Sequence, residues 1–519
     1  MLISQSQSST HRALACCDIL EELFQHLQAG ADSESRLTLS RLARVWRTFN
    51  AFFTRKLWAT LPSIDPLLRI LSALQVVETE QLAEEYVLTR PIKSDEWSRC
   101  LYLASFVRCI EGASSRPAVS SVWLYIAMLL GEKPLLPSVR ELYWEVVSST
   151  SAELALLVSP SLRHLSLTFK DFDQYQDHWT TGLLALLRNI VPRATNLSEL
   201  HLYDLQTDDL SSVISPVGSL HQLTTLEVHG AIVDLHVLET LSRMTSLSDL
   251  TLLIELDDDS DPKFCGFPSL KRINITNNSV SAGEIIKVLA TFRSKTVIDF
   301  AFNNGGGSWS SQQLLAVCRA LTKRCPMLER LAATICMPGS DDLAATIAPL
   351  NGLRSLRDVE LKLTGRLGAP MKYADPLFLM LAASWPCIVS LRLLSDYSDG
   401  HVSPLILLAF ANACPDLREL CIPILDLPLD MVMGDVSTFP LRDHGLKIMR
   451  VQFPSEEIDD DKIFALILDR LFPNIDIDAS LAPVPALHSG EWDRVLDEAL
   501  KYCQLVRRNR EPETDANKT

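Results

Sequence analysis

The sequence predicts an α/β solenoid, with parallel strands and helices stacked repeat on repeat, preceded by a small all-helical domain. Two observations carry the solenoid. The first is a short phrase, an apolar residue followed by two more at offsets of three and five, which recurs twelve times. It reads VRELYWEV from Val139, LRHLSLTF from Leu162, LSELHLYD from Leu197, LTTLEVHG from Leu223, LSDLTLLI from Leu247 and LKRINITN from Leu270. It continues as TVIDFAFN from Thr296, where the first apolar position is lost, then LERLAATI from Leu328, LRDVELKL from Leu356, IVSLRLLS from Ile388, LRELCIPI from Leu417 and LKIMRVQF from Leu446. The second observation is spacing. The start positions step by about 23 to 35 residues, enough for one strand and one helix per unit. Such a unit cannot bury its own apolar face, so the units must stack.

That spacing and period are those of leucine-rich repeats. Strand side chains alternate, so the phrase leucines point into the core and the residues between them face the concave side. Leu200, Leu226 and Leu250 are therefore expected to be fully buried in successive parallel strands.

The elements divide the chain as follows. Residues 1–12 are polar and read as a disordered N-terminus. Residues 13–62 read as a helical domain: Ile19, Leu20, Leu23, Phe24 and Leu27 fall on one helix face, and Leu42, Val45, Trp46, Phe49 and Phe53 on a second. Gly30-Ala31-Asp32-Ser33 breaks the two, and Pro62 and Pro66 punctuate the exit. Residues 63–136 read as a helical linker and opening repeat, helix-like over Leu67–Val77, with a strand at FVRCI from Phe106. Residues 137–480 are the solenoid, with helices between phrases such as TGLLALLRNI from Thr181 and SQQLLAVCRALTKR from Ser311. The helix Asp461–Leu471 and FPNIDID from Phe472 make a last partial unit. EWDRVLDEALKYCQLV from Glu491 carries a single apolar stripe, so 481–506 reads as a C-terminal capping helix and 507–519 as a disordered tail.

Composition narrows the function classes. With 519 residues, 47% of them apolar, there is enough material for a continuous core. A net charge of −16 argues against nucleic acid, whose recognition needs a basic stripe. The longest apolar run, VWLYIAMLL from Val122, is too short to span a bilayer, so no membrane partner is expected. The N-terminus lacks the apolar core of a secretory signal. Twelve cysteines show no paired spacing, which points to neither a disulfide framework nor a zinc site, and places the chain in the cytoplasm or nucleus. No metal or other cofactor is expected.

Chemical motifs are missing. The run Asp257-Asp258-Asp259-Ser260-Asp261 lacks the glycine and glutamate of a calcium loop, since Pro262 and Pro268 stand there. Gly305-Gly306-Gly307 lacks the Gly-Lys-Ser/Thr ending of a phosphate loop and reads as a flexible turn. Cys318, Cys325, Cys336, Cys414 and Cys421 read as small buried hydrophobes. Nothing pairs a nucleophile with a base, so the chain does not read as an enzyme.

The N-terminal unit resembles an F-box. CDILEELFQHL from Cys17 matches its first helix, LARVWRTF from Leu42 its later cluster, and Leu57-Trp58 its Leu-Trp pair. Ala15-Cys16 stands where Leu-Pro is usual, and Trp46 where a cysteine is usual. The whole layout is similar to the F-box/leucine-rich-repeat proteins of mushroom-forming fungi. SDEWSRCLYLASFVRCI from Ser94 resembles their tryptophan helix leading into the first strand, and Cys325-Pro326 and Cys414-Pro415 resemble the cysteine-containing repeat subtype. The resemblance implies the substrate-recognition subunit of a Skp–cullin–F-box ubiquitin ligase. Its partners would be a Skp-type adaptor, a cullin reached through it, and a target protein. The adaptor contacts would be Ile19, Leu20, Leu23, Phe24, Val45 and Trp46, some of which instead form the F-box core. The other readings are a repeat scaffold with a degenerate F-box and no ubiquitin role, and a GTPase activator of the leucine-rich-repeat type, for which no catalytic arginine or asparagine loop is evident.

The strand pattern itself marks a target face. Glu141, Tyr143, Glu145, His164, Glu199, His201, Tyr203, Glu227, His229 and Asp249 face the concave side in the first half. Arg272, Asn274, Arg330, Lys362, Arg392 and Arg450 do so in the second, diluted by Asp358, Glu360 and Glu419. The expectation is a face acidic and aromatic early and more basic late, with target binding at Glu141, Tyr143, Glu145, Glu199, His201, Tyr203, Glu227, His229 and Asp249. Tyrosine beside carboxylate suits an interface.

Overall fold

Each of the twelve phrases becomes a strand of parallel sheet. The computed structural model describes residues 22, 33–45, 47–78, 84–112, 118–146, 152–170, 176–207, 209–256, 261–277, 279–293, 295–337, 343–365, 371–395, 398–425, 439–454, 461–476, 479–480 and 501. The chain divides into two compact units, Met1–Ala231 and Ile232–Thr519. Both have the architecture of an α/β leucine-rich-repeat solenoid.

In the first unit, helices α1 (Ser33–Val45) and α2 (Arg47–Ala59) pack through buried Leu39 and Phe53, with Leu42, Phe52 and Leu57 around them. The Arg36 guanidinium donates to the Thr60 carbonyl at 2.8 Å and ties α1 to the start of the sheet. The sheet begins there. β1 (Thr60–Leu61) pairs in parallel with β4 (Cys109–Ile110), which pairs with β5 (Glu141–Val146). The first strand thus lies inside the segment expected to be wholly helical, and ahead of the first repeat phrase. The helix expected over Leu67–Val77 also gives way. Only Asp65–Leu68 is helical, and β2 (Leu74–Glu78) forms an antiparallel hairpin with β3 (Glu84–Leu88). The β-branched pair Val76 and Val77 favours a strand, and Val76 pairs with Tyr86, which is buried.

β6 (His164–Phe169), β7 (Glu199–Tyr203) and β8 (Thr225–Val233) extend the parallel pairing. One bond pattern sets the register. The carbonyl just before each strand accepts from two successive amides of the next repeat: Arg140 O from Arg163 N and His164 N, Arg163 O from Ser198 N and Glu199 N, and Ser198 O from Thr224 N and Thr225 N. Leu200 and Leu226 are buried to 1% and 0% exposure, as their place in the phrase requires.

The second unit pairs β9 (Asp249–Ile254), β10 (Arg272–Ile275), β11 (Asp299–Ser308), β12 (Arg330–Met337) and β13 (Asp358–Gly365), with Leu250 buried in β9. A two-strand ribbon of β14 (Met371–Ala374) and β16 (Ser398–His401) stands apart, while β15 (Ser390–Ser395), β17 (Glu419–Leu425) and β18 (Ile448–Pro454) continue the main sheet. The forked bond recurs here: Lys271 O accepts from Ile298 N and Asp299 N, and Ile298 O from Glu329 N and Arg330 N.

That pattern corrects the Thr296 repeat. Val297, Phe300 and Phe302 are the buried positions, and Ile273 pairs with Phe300. The phrase starts one residue later than read, and its first apolar position is Val297 rather than lost. The glycines Gly305–Gly307 belong to β11, at a register irregularity between Asn304 and Ser308, instead of a free turn. The carboxamide oxygens of Asn303 and Asn304 accept from Gly305 N and Gly307 N, each at 3.0 Å.

The helix ends are written into the sequence. Cys325-Pro326, Trp385-Pro386 and Cys414-Pro415 each stop a helix three residues before a phrase, because a residue preceding proline is pushed out of helical geometry. Cys318, Cys325, Cys414 and Cys421 are buried, and burial pushes each thiol up to about 12, so they are inert packing groups; Cys336 is only half-buried. Ile19, Leu20, Leu23, Phe24 and Trp46, the Asp257–Ser260 run, and the capping helix apart from Lys501 lie outside the described residues. Val45 ends α1. Among the described residues no helix is long and apolar enough to cross a membrane.

Candidate interaction face and its histidine cluster

The residues that alternate with the buried leucines of β5–β8 form a face of ordered rows. In the first row Glu141, His164 and Glu199 lie opposite one another. In the second, Tyr143, Ser166, His201 and Glu227 do. In the third are Glu145, Thr168 and Tyr203. Neighbouring strands stand about 4.8 Å apart, so side chains in one row are in reach of each other.

His229 joins the third row through the backbone. Leu205 N donates to the His229 carbonyl at 2.9 Å. Gly230 follows at φ +91°, where a Cβ would meet Leu205 N at 2.9 Å, so this close approach needs glycine. It brings the His229 ring onto Tyr203, stacked at 5.0 Å between centroids.

The carboxylates are not a free acidic patch. His164 Nδ1 lies 2.9 Å from Glu199 Oε2. Tyr203 donates its hydroxyl to Glu227 Oε2 at 3.0 Å, and the same oxygen lies 3.6 Å from His201 Nδ1 and 3.7 Å from His229 Nε2. Lys170 Nζ sits 2.5 Å from Glu145 Oε1. The rings of Tyr143, His164 and His201 form a chain at 4.9 and 4.7 Å. Burial, then the hydrogen bond to Glu227, pushes the Tyr203 hydroxyl up to about 12, so it stays a donor. Burial lowers the His201 pKa against the opposing pull of Glu227, which favours its neutral imidazole. A groove of about 450 Å³ lined by Arg140, Ser161, Arg163, Asn196, Ser198 and Gln222 flanks the strand starts and contains none of these histidines.

Of the expected target-binding residues, Glu141, Tyr143, Glu145, Glu199, His201, Tyr203, Glu227 and His229 share this face of the first unit. Asp249 lies in the second unit, where it is ion-paired with Arg272. There a single row runs Asp249, Arg272, Asp299, Arg330, Asp358 across five strands. Arg330 reaches Asp299 at 3.9 Å and Asp358 at 3.5 Å, and Arg392 reaches Asp358 at 3.4 Å and Glu360 at 3.3 Å. The later face is therefore charge-alternating, not basic. Asp299 was missed because the one-residue slip at Thr296 hid it in an apolar position, and restoring the phrase at Val297 exposes it.

No family model matches the chain, and no curated protein matches it by sequence. Among solved structures it is similar to the TLR13–ssRNA13 complex, at 13% identity and a TM-score of 0.39, over 73% of this chain and 49% of that one. It is also similar to an internalin (inlF) from Listeria monocytogenes, at 15% identity and a TM-score of 0.33, over 58% of this chain and 88% of that one. The chain thus spans about half the length of the TLR13 chain.

Proposed function

We propose that this chain is a non-catalytic protein-binding solenoid that serves as the substrate-recognition subunit of a Skp–cullin–F-box ubiquitin ligase, in the cytoplasm or nucleus. The observation that carries the binding role is the Tyr143–His164–His201–Tyr203–His229 face, half-buried aromatic and imidazole rings interleaved with carboxylates on a rigid sheet. Such rings offer a partner apolar area with little entropy to lose, and the hydrogen-bonded carboxylates supply orientation. The ligase role rests on the F-box resemblance of the N-terminal segment and is supported by the α1–α2 pair that Leu39 and Phe53 pack together. The contribution to ubiquitin transfer would be effective concentration: target and ubiquitin-loaded enzyme held on one assembly.

Co-expression of the full chain with a Skp-type adaptor tests the ligase role. A stable complex is expected, and Leu20→Asp or Phe24→Asp should abolish it by placing an unpaired carboxylate in an apolar contact. Circular dichroism of each variant must match the parent. No complex with the unmutated chain, or binding unmoved by both changes, sinks the ligase role and leaves the scaffold reading. Deleting residues 1–62 is a poorer test, because it removes β1 from the sheet.

For the target, Glu199→Lys with Glu227→Lys should lower capture of basic partners by about tenfold or more at low salt, an effect that fades as salt screens it. The same proteins captured at equal strength by parent and variant in low salt would move the target site off this face.

A further inference from the structure

We propose that His164, Glu199 and His201 form a binding site for one zinc-type divalent transition-metal ion on the strand face of the first unit. One donor atom from each residue lies within 4.8 Å of the others. Two imidazoles and one carboxylate are a zinc donor set that leaves the fourth position open. Tetrahedral zinc with bonds of about 2.0–2.1 Å holds its donors about 3.4 Å apart, so small side-chain rotations close this triad on an ion. Magnesium and calcium are disfavoured, because they take oxygen ligands and two of these three are nitrogens.

The surroundings support the assignment independently of the spacing. His164 Nε2 and His201 Nε2 are buried and have no hydrogen-bond partner. Buried polar atoms in native proteins usually have a partner, and a bound ion would supply one to both nitrogens. His201 turns its Nδ1 toward the Tyr203 hydroxyl at 3.3 Å and toward Glu227 at 3.6 Å. A carboxylate behind the far nitrogen is how metal-binding histidines are oriented. Tyr203 fixes that carboxylate by its hydrogen bond. The histidine side chains are 13% and 16% exposed and Glu199 47%, so the triad is held from within and opens outward at the carboxylate. The site does not depend on a ligase role for the chain.

The test uses the full chain, stripped with chelator and titrated with zinc, then with cobalt as a spectroscopic substitute. One equivalent of zinc should bind and raise the thermal midpoint. Cobalt should give the visible bands of tetrahedral nitrogen and oxygen coordination without a thiolate charge-transfer band. His164→Gln and His201→Gln should each weaken binding by more than about a hundredfold, beyond the roughly 10–100-fold cost of an outer partner. His229→Gln should leave it within about tenfold, as expected of a residue outside the triad. No stoichiometric binding by the parent, a thiolate band, or affinity unchanged in both histidine variants that remain folded by circular dichroism would overturn the site. The cobalt spectrum of the parent decides the question even if a variant fails to fold.

Discussion

Phe300→Ala should destabilise the second unit by about 3–5 kcal/mol, the range for a buried phenylalanine truncated in a core. Phe300 is fully buried in β11, its ring edge-on to Phe302 at 5.9 Å, and Phe302 stacks on Trp309 at 5.5 Å. Its loss opens a cavity between β10 and β12, which a solenoid cannot close without moving the adjoining repeats. Asp299→Ala, one residue away, should cost no more than about 1 kcal/mol, because a part-exposed ion pair in a charged row contributes little. Urea denaturation followed by circular dichroism, with hydrogen exchange over β10–β12, reads both. The contrast tests the corrected register directly. If Asp299→Ala were the costlier change, the phrase would start at Thr296 after all.

Glu284→Ala should cost about 2–6 kcal/mol, since it strands two backbone donors worth roughly 1–3 kcal/mol each. Glu284 is buried in the first turn of the helix Ala282–Ala290. Its Oε2 accepts from Ser281 N at 2.6 Å, completing a capping box in which Ser281 Oγ accepts from Glu284 N. Its Oε1 accepts from Leu256 N at 2.8 Å, so the same carboxylate pins the chain leaving β9. Glu284→Gln keeps one carbonyl oxygen and should lose about half as much as the alanine variant, the amide group serving only one of the two donors. The readout is the denaturation midpoint together with exchange protection at the Leu256 amide. An alanine variant as stable as the parent, with Leu256 still protected, would mean that water replaces the carboxylate and that it anchors nothing.

These two residues also mark the limits of reading from sequence. The capping box of Ser281 and Glu284 is a local contact, because both partners lie within one helical turn. The bond from Glu284 to Leu256 is not, because it joins residues 28 apart through a return of the chain. The hairpin of β2 and β3 was missed for a similar reason. Leu67–Val77 satisfies a helical pattern locally, and only pairing with the strand around Tyr86 decides between the two states.

The phrase leucines, the strand order and the polar face were determined by sequence alone, because a repeat imposes the same short-range burial problem at every turn and alternation answers it the same way each time. Which face residues meet was decided only by the tertiary structure. His164 and Glu199 are 35 residues apart, and nothing in their spacing resembles a ligand motif. They touch because the carbonyls of Arg140 and Arg163 each take two amides from the following repeat and set the strands in register. The same register turned an acidic run into carboxylates held by histidine and tyrosine, and placed aspartates between the arginines of the later strands. Charge counted along a chain ignores such partners, and lateral stacking supplies them.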